Sequence, residues 1–316
     1  MQATRRTFLS SLGAVTVAQA AGWAVPKPAR SGPQFYVAAL TPVDRKGAFD
    51  GGLARDLLAY LQSHGVDGVL VLGTTGEFSS FSVAERKKIL EVMVQHRGNL
   101  DVMCHVATPN LPETLELLDH AARAGADKAL VLPPYYYKNP SVEGLEAFYA
   151  PVLEKARIPV LLYHIPATSG VPITPELVRR LSRYEKLYGI KDSSGNQQGL
   201  LDFIKEFAKL KILTGSPRLI STALQNGGGG AITGNGNIIP AETAAVFREH
   251  RAGNDLAAAQ ARLDAAVRVF PSEIPKMKFA LGELGLRETY CRPPFMELKT
   301  EEKAELKSRI ASAGRS

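Results

Sequence analysis

The fold is decided by a short apolar strand that ends in a lysine and continues as a polar loop: Leu187-Tyr188-Gly189-Ile190-Lys191-Asp192-Ser193-Ser194-Gly195. Strands without polar alternation are typical of a parallel sheet that is covered on both faces. A lysine is unusual there, because burial disfavours the charged form of its amine. A neutral amine can attack a carbonyl carbon and form a Schiff base. The alternative is that Lys191 extends its amine from the strand end into solvent.

Eight apolar runs of this kind alternate with amphipathic helical segments along the chain. The strands are predicted at Phe35–Leu40, Gly68–Leu72, Asp101–His105, Lys128–Leu132, Pro159–Tyr163, Leu187–Lys191, Lys211–Thr214 and Gly230–Thr233. Eight strand–helix units with short connections predict a closed (β/α)8 TIM barrel. A doubly wound open sheet is the alternative, but no Gly-x-Gly-x-x-Gly motif follows the first strand.

Further helical segments follow the eighth strand and predict a C-terminal helical extension. They are Ala241–His250, Asp255–Phe270, Pro275–Leu284 and Thr300–Ala311. The sequence therefore divides into a signal peptide with its leader (1–33), a barrel (34–240) and the extension (241–316).

Composition restricts the classes of function. The chain has 316 residues and a formal charge of +7, from 38 basic and 31 acidic residues, without a long basic run. This distribution does not predict a nucleic-acid partner. The two cysteines, Cys104 and Cys291, match no metal or disulfide pattern, and no His-Glu-x-x-His motif occurs. We therefore expect no catalytic metal.

The first residues resemble an export signal. Arg5 and Arg6 precede an apolar run from Leu9 to Ala21, and Ala18-Gln19-Ala20 offers small residues for cleavage. The run is short for a membrane span, so no stable membrane anchor is expected, although an uncleaved anchor is the alternative. The twin-arginine pattern predicts export of the folded protein to the periplasm.

Polar groups follow four of the predicted strands, at the end of a barrel where active sites lie. They are Thr74-Thr75, Tyr135-Tyr136, Tyr163 and Lys191. Each has a structural alternative when taken singly, such as turn formation for the threonines or a buried aromatic for Tyr163. Their shared position at one end of one barrel favours a catalytic site.

Three motifs in order resemble the signatures of the dihydrodipicolinate synthase/N-acetylneuraminate lyase family. They are Gly-Thr-Thr-Gly-Glu at 73–77, Leu-Tyr-His-Ile-Pro at 162–166 and Gly-Ile-Lys-Asp at 189–192, with 28 residues from Tyr163 to Lys191. The resemblance extends from Phe35 to Leu286. It implies a barrel with a helical extension, a homotetramer or homodimer, and a class I aldolase mechanism that needs no metal or organic cofactor. It also implies pyruvate and an aldehyde as substrates.

The resemblance also implies the role of each site residue. Lys191 would form the Schiff base with a 2-oxo acid, Tyr163 would be the general acid and base, and Thr74 would relay protons to it. Thr75 and the backbone amides of 74–76, Gly76 included, would hold the substrate carboxylate. Tyr136 would reach into the active site of a neighbouring subunit. Three residues would line the substrate pocket: Thr168, Ser193 and Ile232.

Two departures from the family pattern bear on the substrate. Thr168 stands where dihydrodipicolinate synthases carry an arginine for their acidic aldehyde, and Pro217-Arg218 replaces the acidic pair of sialic acid lyases. The 76–79 and 134–138 segments look more like those of 2-keto-3-deoxy sugar acid aldolases and dehydratases. His164 and His105, both at strand ends, are expected to be structural histidines with satisfied hydrogen bonds.

Several functions follow as hypotheses. The first is a lyase that cleaves or forms 4-hydroxy-2-oxo acids or 2-keto-3-deoxy sugar acids, with pyruvate as one product or substrate. A dehydratase of 2-keto-3-deoxy sugar acids and a 4-hydroxy-tetrahydrodipicolinate synthase are enzymatic alternatives. An exported protein that binds a 2-oxo acid without turnover is the non-enzymatic alternative. It needs no proton relay, so the Lys191, Tyr163 and Thr74 set argues against it.

Overall fold

The described part of the computed structural model, residues 32–270 and 272–312, contains a closed barrel of eight parallel strands. The predicted export signal and cleavage site lie outside these residues. The strands are β1 (Gln34–Ala38), β2 (Gly68–Val71), β3 (Asp101–His105), β4 (Lys128–Val131), β5 (Val160–His164), β6 (Leu187–Asp192), β7 (Lys211–Thr214) and β8 (Gly230–Thr233). Each strand pairs with its sequence neighbours, and β8 pairs with β1. The (β/α)8 prediction is confirmed, and the open-sheet alternative is wrong.

Helices connect the strands and cover the outside of the barrel. They are α1 (Gly51–Ser63), α2 (Val83–Gln95), α3 (Leu111–Ala124), α4 (Val142–Lys155), α5 (Pro166–Ser169), α6 (Pro175–Leu181), α7 (Gln197–Glu206) and α8 (Ile220–Gln225). Most begin at a side-chain cap, since an oxygen at the cap accepts an otherwise free backbone N–H. Ser82, for example, accepts from the amide of Glu85, whose carboxylate accepts from the amide of Ser82.

Four more α-helices follow β8 in the part of the chain that the structure describes, as the sequence predicts. They are α9 (Pro240–Arg251), α10 (Ala257–Val269), α11 (Ile274–Glu283) and α12 (Thr300–Ser312). Their apolar side chains, including Phe247, Leu263, Met277 and Ile310, are buried in the same hydrophobic core as the barrel strands. The extension is therefore packed against the barrel.

A polar cluster fills the barrel near the amino ends of its strands. The Tyr36 hydroxyl donates to Asp101 (3.0 Å) and Gln34 (2.7 Å), and Lys128 Nζ lies 3.1 Å from the same Asp101 carboxylate. Burial and the Asp101 carboxylate raise the pKa of Tyr36 well above its ordinary value. Gly68 leaves room for this ring, because a Cβ there would lie 2.5 Å from Tyr36. The barrel interior is thus occupied at this end.

No helix within residues 32–270 and 272–312 is long and apolar enough to cross a membrane.

Candidate active site

Lys191 and Tyr163 form the centre of the site at the carboxyl ends of β6 and β5. The two residues are directly paired in the parallel register of these strands. Their side chains are buried, with 4% and 3% of their surface exposed. Lys191 Nζ donates to the Tyr163 hydroxyl at 3.2 Å and lies 4.2 Å from the centre of its ring. The alternative in which Lys191 extends into solvent is therefore wrong.

Thr74, in the loop after β2, continues this hydrogen-bonded chain across the barrel. Its Oγ1 lies 3.4 Å from the Tyr163 hydroxyl, so the phenol stands between a hydroxyl and an amine. Burial by itself would raise the pKa of Tyr163. The Lys191 charge and hydrogen bonds from Thr74, Lys191 and Ser193 outweigh burial, and the pKa of Tyr163 falls below its ordinary value. A phenol with a lowered pKa, linked to an amine and a hydroxyl, can move a proton in either direction.

The loop of residues 73–77 places Thr75 and Gly76 next to this chain. Gly76 is held by the Thr41 hydroxyl, which donates to its carbonyl at 2.7 Å. Left-handed backbone conformations bracket the loop, with φ of 58° at Leu72 and 54° at Glu77. Such conformations are costly for residues with a Cβ and often occur at functional sites.

A buried ion pair anchors the same loop to the helical extension. Glu77 Oε1 lies 2.5 Å from Lys278 Nζ of α11, and their side chains are 0% and 1% exposed. The contact is an ion pair without hydrogen-bond geometry. The other Glu77 oxygen accepts from the backbone N–H of Arg292 at 3.1 Å. Glu77 lies in the 73–77 motif, but its role could not be predicted from the sequence, because Lys278 is remote along the chain.

The remaining predicted site residues occupy different environments. Ser193 lies beside the Lys191 strand end and packs so closely against Gly215 that a Cβ there would be 2.0 Å from Ser193 Oγ. Ile232 is buried in β8, where it pairs with Tyr36. Thr168 is exposed on the short helix α5. Tyr136 is 74% exposed, so the structure does not bring it to Lys191 of its own chain.

The two histidines at strand ends, His105 and His164, differ in their hydrogen bonding. His164 Nδ1 accepts from the backbone N–H of Ile173 at 3.0 Å, in keeping with a structural role. His105 is 1% exposed, and neither ring nitrogen has a hydrogen-bond partner among the described residues. The expectation that His105 is a satisfied structural histidine is therefore wrong. No local sequence pattern distinguishes the two histidines, because the difference depends on neighbours from other parts of the chain.

A buried arginine adds positive charge behind β3. Arg86 of α2 is 4% exposed and donates to the backbone carbonyls of His105 (2.8 Å) and Ala107 (3.2 Å). Desolvation lowers its pKa. Together with Lys191, this cation favours a negatively charged ligand at the carboxyl end of the barrel. Within the described residues, no group of three His, Cys, Asp or Glu side chains could hold a metal ion.

Comparisons with known proteins agree with this geometry. The model of the dihydrodipicolinate synthetase family matches residues 33–313. A DapA-like lyase of Chloroflexus aurantiacus, itself uncharacterized, is 42% identical over 79% of this chain and 86% of its own. The probable 2-dehydro-3-deoxy-D-pentonate aldolase YjhH of Escherichia coli is 31% identical over 85% of this chain and 93% of its own. The 4-hydroxy-tetrahydrodipicolinate synthase of Neisseria meningitidis is 30% identical over 88% of this chain and 97% of its own.

A solved structure of a related protein has the same fold as this chain. YagE of Escherichia coli, described as a family member in complex with pyruvate, superposes with a TM-score of 0.84 at 28% identity, covering 90% of this chain and 99% of its own. Enzymes of this family use pyruvate and an aldehyde substrate. The chain therefore belongs to the dihydrodipicolinate synthetase family, and it is a lyase with class I aldolase chemistry.

Proposed function

We propose that this protein is a pyruvate-dependent aldolase that cleaves or forms 4-hydroxy-2-oxo acids, with 2-keto-3-deoxy sugar acids as its preferred class. The observation that carries the proposal is the chain Lys191–Tyr163–Thr74, joined at 3.2 and 3.4 Å inside the carboxyl end of the barrel. A relay of this kind serves turnover, since binding alone needs no proton transfer. The family comparison supports the enzyme over the binding-protein alternative.

In the cleavage direction, Lys191 attacks the C2 carbonyl of the 2-oxo acid, and loss of water gives a protonated imine. Tyr163 takes the proton of the C4 hydroxyl, the C3–C4 bond breaks, and the electron pair moves into the imine to form an enamine. The aldehyde leaves, a proton returns to C3, and hydrolysis releases pyruvate and the Lys191 amine. Thr74 passes protons between Tyr163 and the substrate. Thr75 and the amides of the 74–76 loop hold the carboxylate.

The preference for a neutral aldehyde rests on Thr168. This residue offers one hydroxyl and no charge, so an acidic aldehyde finds no guanidinium partner there. A polyhydroxylated aldehyde can hydrogen-bond to Thr168 and Ser193. Arg218 follows β7 and is exposed, which makes it the charge to test if an acidic aldehyde is accepted. Similarity to the YjhH aldolase favours a sugar acid, whereas similarity to the Neisseria synthase keeps that activity as an alternative.

The chemistry is tested by reduction with borohydride in the presence of pyruvate. We expect one covalent adduct per chain, located on Lys191 by peptide mass spectrometry. Lys191→Arg is the control, because a guanidinium stays protonated and does not attack. An adduct on another lysine, or no adduct with any 2-oxo acid, contradicts the proposal.

The substrate class is tested with a panel of 2-keto-3-deoxy acids in a coupled assay for pyruvate. Pyruvate release supports the aldolase. Loss of the substrate with release of water and no pyruvate identifies the dehydratase, which uses the same imine but breaks a C–O bond. Release of pyruvate from none of them, together with condensation of pyruvate and aspartate semialdehyde, identifies the synthase.

We further propose that Tyr136 completes the site of a second subunit in a homodimer or homotetramer. Tyr136 and Tyr137 are 74% and 78% exposed, and such adjacent exposed aromatics are typical of interfaces. Light scattering gives the oligomeric state. We expect Tyr136→Ala to reduce turnover or assembly, and the same change at Tyr137 shows which tyrosine matters. A fully active Tyr136→Ala oligomer would contradict this role.

The export signal supports a further proposal, that the mature protein acts in the periplasm. Replacement of Arg5 and Arg6 by lysine tests it, because the twin-arginine route requires the pair. We expect the variant to stay in the cytoplasm of its host. Equal export of both forms contradicts the proposed route.

A further inference from the structure

His105 ends β3 inside the barrel, beside the residues of the proposed mechanism. Its ring makes edge-to-face contacts with Phe78, at 4.3 Å between ring centres, and with Tyr163, at 6.3 Å between centres. It is 1% exposed. The histidine thus lies beside Tyr163 and is buried from bulk solvent.

The polar atoms of this ring lack partners. Neither Nδ1 nor Nε2 has a hydrogen-bond partner within residues 32–270 and 272–312. The backbone carbonyl of Leu72 lies near the ring and acts to raise the pKa of His105, but the contact is outside hydrogen-bond geometry. A buried polar group without a partner destabilises the folded protein, and such groups often mark a place where a ligand binds.

The charge state of the ring defines what it can bind. Burial, and then the charges of Arg86 and Lys191, lower the pKa of His105 well below its ordinary value. The ring is therefore a neutral imidazole with one N–H donor and one acceptor nitrogen. Its donor is suited to a carboxylate, and the two neighbouring cations favour the same group.

We propose that His105 is a substrate-binding residue, whose N–H donates a hydrogen bond to the carboxylate of the 2-oxo acid joined to Lys191. The position of β3 supports this, since β3 is next to β2, whose following loop carries Thr74 and Thr75. In the strand order of the barrel, β3 stands between β2 and the β5–β6 pair that carries Tyr163 and Lys191, and the His105 ring contacts the Tyr163 ring. The inference rests on the proposed Schiff-base chemistry and assigns that site a donor which no motif indicated.

The test measures borohydride trapping of pyruvate at a series of pyruvate concentrations, in the full chain. His105→Phe keeps the ring shape and removes both nitrogens. We expect it to raise the pyruvate concentration for half-maximal trapping by about tenfold or more, the effect of losing a hydrogen bond to a charged group. Its thermal midpoint should be unchanged or higher, because a buried polar group without a partner has been removed.

Two further variants test whether the loss of a hydrogen bond from His105 causes the change in trapping. His105→Gln retains a donor and an acceptor, and we expect half-maximal trapping within about threefold of the parent protein. Cys104→Ala changes the preceding residue, whose side chain is on the other face of β3, and should leave trapping unchanged. If His105→Phe does not fold, His105→Met serves as the apolar variant with the same expected loss.

The outcomes separate this inference from the proposed function. Parent-like half-maximal trapping in the apolar variant overturns the role of His105, whether or not stability falls. A glutamine variant as impaired as the apolar one also overturns it, because a hydrogen bond would then not be the cause. Absence of trapping in the parent protein refutes the proposed function instead.

Discussion

Replacement of Lys278 by methionine tests whether the helical extension supports the catalytic loop. The Lys278 ammonium and the Glu77 carboxylate lie 2.5 Å apart and are almost fully buried. Removing one partner of a buried pair leaves an uncompensated charge, which typically costs about 3–5 kcal/mol of stability. With roughly 2 °C per kcal/mol for a chain of this size, the thermal midpoint should fall by about 6–10 °C.

Lys278→Met should also weaken the binding of pyruvate at the active site. Glu77 ends the loop that carries Thr74 and Thr75, and its second oxygen holds the backbone of Arg292. When its cation is removed, we expect the carboxylate to turn toward water and to shift this loop. Half-maximal trapping of pyruvate should then require more pyruvate, while trapping at saturation still labels Lys191.

Thermal unfolding followed by circular dichroism, together with the trapping assay, gives both quantities. Lys276→Met is the matched control, since Lys276 of the same helix makes a surface pair with Glu273 at 3.0 Å. Pairs of that kind contribute about 0–1 kcal/mol. The double variant Glu77→Gln with Lys278→Met should lose less than the two single losses added together. A midpoint within about 2 °C of the parent for Lys278→Met would refute the reasoning.

Three further outcomes follow from the site. Tyr163→Phe should slow turnover by roughly 10²–10⁴-fold and lower the thermal midpoint, because the buried Lys191 amine loses its acceptor, and near-normal turnover of the folded variant would place the proton route elsewhere. Burial raises the pKa of Cys104 to about 12 and that of Cys291 to about 11, so both thiols should resist iodoacetamide at pH 8 until the protein is unfolded; rapid alkylation of the folded protein would contradict this. Because Thr168 carries no charge, kcat/KM for aspartate semialdehyde should be about 10–100-fold below that for glyceraldehyde; the opposite order would direct mutagenesis to Arg218.

The strands could be predicted from the sequence to within one or two residues. Each is a run of apolar residues that ends at a polar loop, as in Gly230–Thr233, because a strand buried on both faces has no place for a charge in its middle. Lys191 is conspicuous in the sequence for the same reason, because it is a charged residue at the end of a buried apolar strand. The short helix α5 could not be predicted, since four residues are too few to show helical periodicity.

Contacts between distant parts of the chain could not be predicted from the sequence. Glu77 and Lys278 look like ordinary charges in a loop and a helix, and only the folded extension makes them a buried pair. His105 and His164 both lie at strand ends, yet among the described residues only His164 accepts a hydrogen bond from a backbone N–H. Hydrogen-bond satisfaction depends on which side chains fill the surrounding space, and a local pattern does not encode that.

The pairing of Tyr163 with Lys191 depends on an irregularity in the register. Val160 pairs with Leu187, but Leu161 pairs with Gly189, so Tyr188 is an extra residue in β6. Without it, Lys191 would pair with His164 and face away from Tyr163, because neighbouring residues of a strand point to opposite faces. The proton chain therefore depends on one additional residue near the start of β6. The residues around the shift, 160–162 and 187–190, carry no charged side chain on either face, so no in–out pattern in the sequence marks it.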